Sequence, residues 1–196
     1  MEPIVEQALR KWPNVPHCYG WLALDARGDW YVRDDQAQAA GPFPRVMGHR
    51  VVQRKLIEFI GRNYAADGAG NWFFQNGPQR VYVELEAAPW VWRLHIEPDV
   101  GIAFPPCGAP TIHGHTGRAA RFESAWLDGD GRLFVATDIG LGLVHTLDTE
   151  CAADAVLAHR WQPGEMPFDA MPQRFGYRLK PSPPSASSAL PGSPVS

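Results

Sequence analysis

The 196-residue chain holds three cysteines, no long apolar run and no marked excess of either charge. Cys18, Cys107 and Cys151 are odd in number and far apart, with no C-x-x-C pair. That excludes a disulfide framework and fits reduced thiols in a reducing compartment. The start, MEPIVEQALRKW, is acidic and lacks the apolar core of a signal peptide. No stretch approaches the ~18 apolar residues of a spanning helix. The expectation is a cytoplasmic protein with no membrane partner. Eighteen basic against twenty-one acidic side chains give a net charge of −3, which argues against general nucleic-acid binding, since that needs Lys and Arg in excess. Arg50, Arg54, Lys55 and Arg62 form the most basic stretch, and their spacing on a predicted helix reads as a solvated face. There is no G-x-S-x-G elbow and no glycine-rich phosphate loop with its lysine. Asp128-Gly129-Asp130-Gly131 begins like a calcium loop, but Arg132, Leu133 and Ile139 stand where that loop needs an oxygen ligand, a glycine and a glutamate. It reads as a turn.

What is present is patterning. Residues 181–196, PSPPSASSALPGSPVS, offer little to bury and many prolines, so they are expected to form a disordered tail after a single domain over residues 1–180. Helices are predicted over about Pro3–Trp12, Gly48–Tyr64 and Thr149–His159. The second turns Val52, Leu56, Phe59, Ile60 and Tyr64 inward, and Asp148 is a natural N-cap for the third. Strands lie between them, and Leu-Asp-x-x-Gly-x recurs at Asp25 and Asp128 as a hairpin turn, which raises an internal duplication. The segment after Trp161 has few periodic apolar residues and is expected to wrap the surface. The predicted architecture is α+β: a mainly antiparallel sheet of about seven to nine strands with two or three packed helices, or alternatively a β-barrel with peripheral helices.

Residues 71–97 fix a register. A two-residue turn at Gly77-Pro78 sets Phe74 opposite Val81. A four-residue loop at Glu86–Pro89 would set Val83 opposite Trp92. One face of this meander then carries Trp72, Phe74, Val81, Val83, Leu85, Trp90, Trp92, Leu94 and Ile96 into the core. The other carries Arg80, Tyr82, Glu84, Arg93 and His95, with Arg93 opposite Tyr82. That face is too charged for core and too aromatic for plain surface, so it is the candidate ligand-binding face. Eight tryptophans mostly fall on core faces, with Trp30 and Trp161 the candidates for exposure.

The stretches HCYGWLALDARGDWYVRD (residues 17–34) and NWFFQNGPQRVYVELEAAPWVWRL (residues 71–94) resemble a family of uncharacterised proteobacterial proteins. The resemblance implies bacterial, cytoplasmic origin and brings no activity, cofactor or catalytic residue.

His113-Gly114-His115 is the sharpest chemical signal. Residues two apart on a strand share a face, so both imidazoles could reach one divalent metal, with Cys107 as a third ligand. Ordinary strand histidines are the competing reading, and no cofactor is predicted. Three functions follow: a non-enzymatic binding or interaction module using the Arg80/Tyr82/Glu84/Arg93/His95 face for a small molecule or protein; a metal-binding protein or metal-dependent enzyme at His113 and His115; and an enzyme using Glu84, His95 and Arg93 as acid, base and anion clamp. The first stands ahead because no catalytic motif is complete.

Overall fold

The computed structural model describes residues 3–12, 14–95 and 110–183. In chain order the helices are α1 (Pro3–Lys11), α2 (Asp35–Ala40), α3 (Arg54–Arg62), α4 (Thr149–Leu157) and α5 (Met171–Phe175). The strands are β1 (Cys18–Leu24), β2 (Trp30–Val32), β3 (His49–Arg50), β4 (Tyr64–Ala66), β5 (Trp72–Asn76), β6 (Gln79–Leu85), β7 (Trp90–His95), β8 (Thr111–Gly114), β9 (Ala119–Ala120), β10 (Phe122–Leu127), β11 (Leu133–Thr137), β12 (Gly140–Val144) and β13 (Gly164–Glu165). Among the described residues no helix is long and apolar enough to cross a membrane.

The fold is α+β and mostly sheet, but the strands form two mixed sheets rather than one antiparallel sheet or a barrel. The first has the order β3-β2-β1-β6-β5-β4 and the second β13-β10-β11-β12-β7-β8-β9. β1 runs parallel to β6, β12 to β7, and β10 to β13, while the other neighbours are antiparallel. The Gly77-Pro78 hairpin has the predicted register, with Phe74 opposite Val81 and Asn76 opposite Gln79.

The meander ends there. β6 already has β1 on one side and β5 on the other, so it has no free ladder for β7. Residues 86–89 instead form a buried corner into the second sheet. Two of its carbonyls are satisfied by phenols: Tyr64 donates to Pro89 at 3.0 Å and Tyr177 to Ala87 at 3.0 Å. Those bonds meet the requirement that backbone out of water keep its partners. The predicted inward face nonetheless holds. Phe74, Val83 and Leu85 enter one core from the first sheet, and Trp90, Trp92 and Leu94 enter it from the second. Trp72 and Val81 pack at its margin, and Ile96 lies outside the described residues.

Both sheets bury apolar side chains against one another, and tryptophan packing sets the tolerances. Trp90 and Trp92 stack with ring centroids 5.6 Å apart, and their indole N–H groups donate to the carbonyls of Ile139 and Val135. Gly142 leaves the space they fill: a Cβ there would lie 2.7 Å from Cβ of Trp90 and inside contact distance of the Trp92 indole. Gly142→Ala is therefore expected to lower stability by about 1–3 kcal/mol, the usual cost of overpacking. Urea unfolding followed by tryptophan emission checks this, and an unmoved midpoint would show that the indoles can step aside.

Helix α3 begins at Arg54, not Gly48, so Val52 lies outside it and stays exposed; Leu56, in its first turn, is exposed as well, while Ile60 is buried. The pattern that assigned Val52 had run back across a strand and an extended segment. Asp148 does not cap α4 with its side chain, because its carboxylate is drawn to Arg93. Trp30 and Trp161 are buried, and Trp12 and Trp21 are the exposed tryptophans. The segment after Trp161 is more deeply placed than expected, with Met171 and Tyr177 in the core.

Asp25, Asp67 and Asp128 close three hairpins in one way. Each Oδ1 accepts the amides of the second and fourth residues after it, at 2.8–3.0 Å. The glycine three residues after each aspartate (Gly28, Gly70 and Gly131) takes φ of +84°, +79° and +74° in turn. The same turn at Asp67 is followed by Trp72-Phe73 at the positions of Trp30-Tyr31 and Leu133-Phe134, so the pattern goes with this hairpin type and does not by itself mark two copies of one unit.

Candidate functional site

The outer face of the first sheet carries the main polar concentration. A bulge between Cys18 and Leu22 offsets β1 against β6, and Tyr19 stacks on Tyr82 with centroids 4.5 Å apart and planes 9° from parallel. Phe73 and His17 meet the Tyr82 ring edge-on, each with its centroid 5.8 Å away, and the Arg80 guanidinium lies 4.5 Å over Phe73. The Tyr82 hydroxyl donates to Asp67 at 3.2 Å. Burial pushes the Asp67 carboxyl up, but hydrogen bonds from Asn71, Ala69 and Tyr82 outweigh it and hold that group below the usual range.

Two positions along β6, Glu84 forms a buried ion pair with Arg33, Nη1 to Oε2, at 2.5 Å, with side chains 6% and 3% exposed respectively. Arg33 also donates to the carbonyls of Gly41 at 2.5 Å and Val46 at 3.2 Å. It therefore pins the segment 34–46 across the sheet. That segment includes α2, which starts where Asp34 accepts the Ala37 amide at 2.9 Å. The other wall is the C-terminal strap. Leu179 accepts the Leu85 amide at 2.8 Å, Gly70 accepts the Arg178 amide at 3.0 Å, and Pro181 is buried. Between loop and strap lies a cleft of about 470 Å³, with Tyr19, Gln38, Pro42, Glu84 and Lys180 on its walls. Lys180 Nζ stands 3.8 Å from Glu84 Oε1.

The structure divides the residues expected on one face. Arg80, Tyr82 and Glu84 lie on the first sheet. Arg93 and His95 lie on β7 in the second, so Arg93 does not oppose Tyr82 and the proposed Glu84/His95/Arg93 acid–base–clamp set is not assembled. Arg93 pairs with Asp148 at 2.6 Å and 3.3 Å, and the same carboxylate accepts the Leu94 amide at 3.2 Å. Burial raises the Asp148 carboxyl, yet Arg93 and the Leu94 amide bring it below its ordinary range. The pair ties the start of α4 to β7.

His113 and His115 part company as well. His113 stands beside His95, ring centroids 5.6 Å apart. His115 falls just past the end of β8, within 5.4–5.7 Å of the rings of Trp30, Tyr64 and Trp90. Its Nδ1 accepts the Val91 amide at 3.3 Å, and its Nε2 is shut off from solvent without a partner, although the residue as a whole is half-buried. Removal of the ring from water lowers its pKa to about 3. Among the described residues no three His, Cys, Asp or Glu side chains converge as a metal site, and Cys107 lies outside them.

Sequence reasoning missed Tyr19, Arg33, Gln38 and Lys180. The alternation places Tyr31 and Arg33 on one face of β2, but nothing local links that face to Glu84, 51 positions away.

These features define a two-sheet α+β domain with one shared core and a polar cleft on the outer side of its first sheet. The chain belongs to the family described as "Protein of unknown function (DUF2946)", which matches residues 1–182. A family without an assigned activity is what the stretches at residues 17–34 and 71–94 led one to expect. No curated protein matches the chain. Among solved structures, it is similar to a DUF1285 family protein from Silicibacter pomeroyi, at 13% identity over 78% of this chain and 75% of that one with a TM-score of 0.48. It is also similar to a DUF1285 family protein from Shewanella baltica, at 13% identity over 68% and 91%, with a TM-score of 0.43.

Proposed function

We propose that this chain is a non-enzymatic binding module and that its ligand lies in the Tyr19/Glu84/Lys180 cleft. One observation carries the reading: Glu84 is a buried carboxylate with one oxygen engaged by Arg33 and the other facing the cleft, where Lys180 at 3.8 Å is its one charged neighbour among the described residues. An acceptor oxygen that opens on the cleft favours any ligand that brings a donor. Arg33 and Lys180 both stand against Glu84, so the cleft offers a free cation no uncompensated carboxylate. Tyr19 adds an aromatic surface and Pro42 an apolar one. An uncharged, extended peptide with hydroxyls, amides and proline rings meets all three demands. A cleft of this volume also falls within the range of small-ligand sites.

Titrating the protein with labelled neutral Ser/Pro peptides, read by fluorescence polarisation, tests this. Tyr19→Ala is expected to weaken binding about tenfold or more, as loss of an aromatic anchor does. Arg93→Ala and His95→Ala should leave it unchanged. Binding that survives Tyr19→Ala and fails in Arg93→Ala would move the site to the second sheet and overturn the proposal.

A further inference from the structure

Resting on that reading of the cleft, we propose that its resident occupant is the chain's own segment 184–196, folded back in cis, so that an outside ligand must displace it. The described chain leads into the site: Lys180, Pro181, Ser182 and Pro183 form one of its walls, and the strap is anchored by the Leu179 and Arg178 backbone bonds. The segment that follows is therefore delivered at the cleft's edge. Its thirteen residues, at about 3.1 Å each when extended, reach about 40 Å, far beyond what the cleft spans.

The chemistry matches on each wall. PSASSALPGSPVS has no charged side chain, so it brings no further cation beside Arg33 and Lys180 and does not compete for the Arg33–Glu84 pair. Its serine hydroxyls and amides can donate to Glu84 Oε1 where it opens on the cleft, and its prolines supply apolar rings for Tyr19 and Pro42. Tethering makes even weak affinity sufficient. A short linker presents a segment at an effective concentration on the order of 1 mM. If the free segment bound with a Kd of about 0.1 mM, about nine-tenths of the molecules would be self-occupied, and an outside ligand would bind about elevenfold more weakly.

The test compares the full chain with a chain ending at Pro183, which keeps every element and hydrogen bond described above. Labelled peptide of sequence 184–196 is titrated into each, and the amide resonances of Tyr19, Gly20 and Glu84 are followed. The expected result is about tenfold tighter binding to the shortened chain. Its peptide-saturated resonances should also coincide with those of the full chain alone. Equal affinities, with full-chain resonances matching the empty shortened chain, would overturn cis occupancy. So would occupancy that grows with protein concentration, which would place the segment in a second copy. If the shortened chain takes other neutral Ser/Pro peptides in the cleft but not this one, the cis proposal falls and the binding reading stands. If it takes none, both fall.

Discussion

Acidifying the protein from about pH 7 to about pH 4.5 is expected to remove about 3 kcal/mol of folding stability through His115 alone. Within the fold the ring stays neutral until about pH 3, because protonation would place a charge among Trp30, Tyr64 and Trp90. In the unfolded chain it takes its proton near the ordinary value of 6.5. Between those values the unfolded chain holds the extra proton, so falling pH drives unfolding, whereas above 6.5 neither state is protonated and the full stability is present. His145, lowered by burial and then by Arg93, acts in the same direction. The lowered carboxyls of Asp67, Asp128 and Asp148 contribute near and below their ordinary value of 3.8, so the loss between about pH 7 and 4.5 belongs to the histidines. Urea unfolding at stepped pH measures the slope. His115→Gln, which keeps an acceptor for the Val91 amide and cannot protonate, should be less steep between about pH 6.5 and 4. An unchanged slope in that variant would show that another group governs the acid response.

Breaking the Arg33–Glu84 pair should have an effect of similar size. Glu84→Leu leaves a guanidinium out of water without its counter-charge and is expected to cost about 3–5 kcal/mol. Arg33→Met strands the carboxylate, with Lys180 as its remaining cation, and also frees the Gly41 and Val46 carbonyls. The double variant Arg33→Met/Glu84→Leu buries no charge at all. Its loss should therefore fall short of the summed single losses by about 2–3 kcal/mol, the coupling typical of residues in one network. A double-mutant cycle in urea gives that figure directly, and additive losses would mean the ion pair contributes no coupling. Loss of Arg33 should also speed amide exchange across residues 34–46, which Glu84→Leu should do less.

The two sites of these predictions differ in how far the sequence revealed them. Alternation along β5, β6 and β7 identified the core face nearly residue by residue, because the face a side chain takes alternates locally with a period of two, even though both faces of these strands are largely buried. Lateral neighbours are not local. The pairing of β1 with β6 and of β12 with β7 joins strands about fifty or more residues apart, and no spacing rule encodes it. One clue was available at the corner. Glu86-Ala87-Ala88-Pro89 has none of the Gly, Asn or Asp that tight turns use, and two adjacent alanines suit a buried crossing better than a hairpin. Tyr82 and Glu84 stood out as polar groups alternating with core. Arg33 and Lys180 did not, since each becomes part of the cleft only through a contact distant in sequence. Asp148 failed as a cap for a related reason: Arg93, 55 residues away, competes for its carboxylate more strongly than a backbone amide does.

The order of strands also bears on how the molecule assembles. The first sheet draws all its strands from residues 18–85 and the second from residues 90–165, so each ladder can form within one contiguous half of the chain. Neither half hides its apolar face alone, and docking of one on the other is the step that closes the longest loops and sets the pace. The strap then returns from beyond both sheets, with Tyr177 reaching Ala87 and Leu179 reaching Leu85. Lys180 and Pro181 arrive with it, so the cleft acquires its second wall only after the sheets have met. A species arrested earlier would hold most of the native hydrogen bonds and still capture nothing, which makes ligand capture a kinetic marker for the last event of folding rather than for collapse.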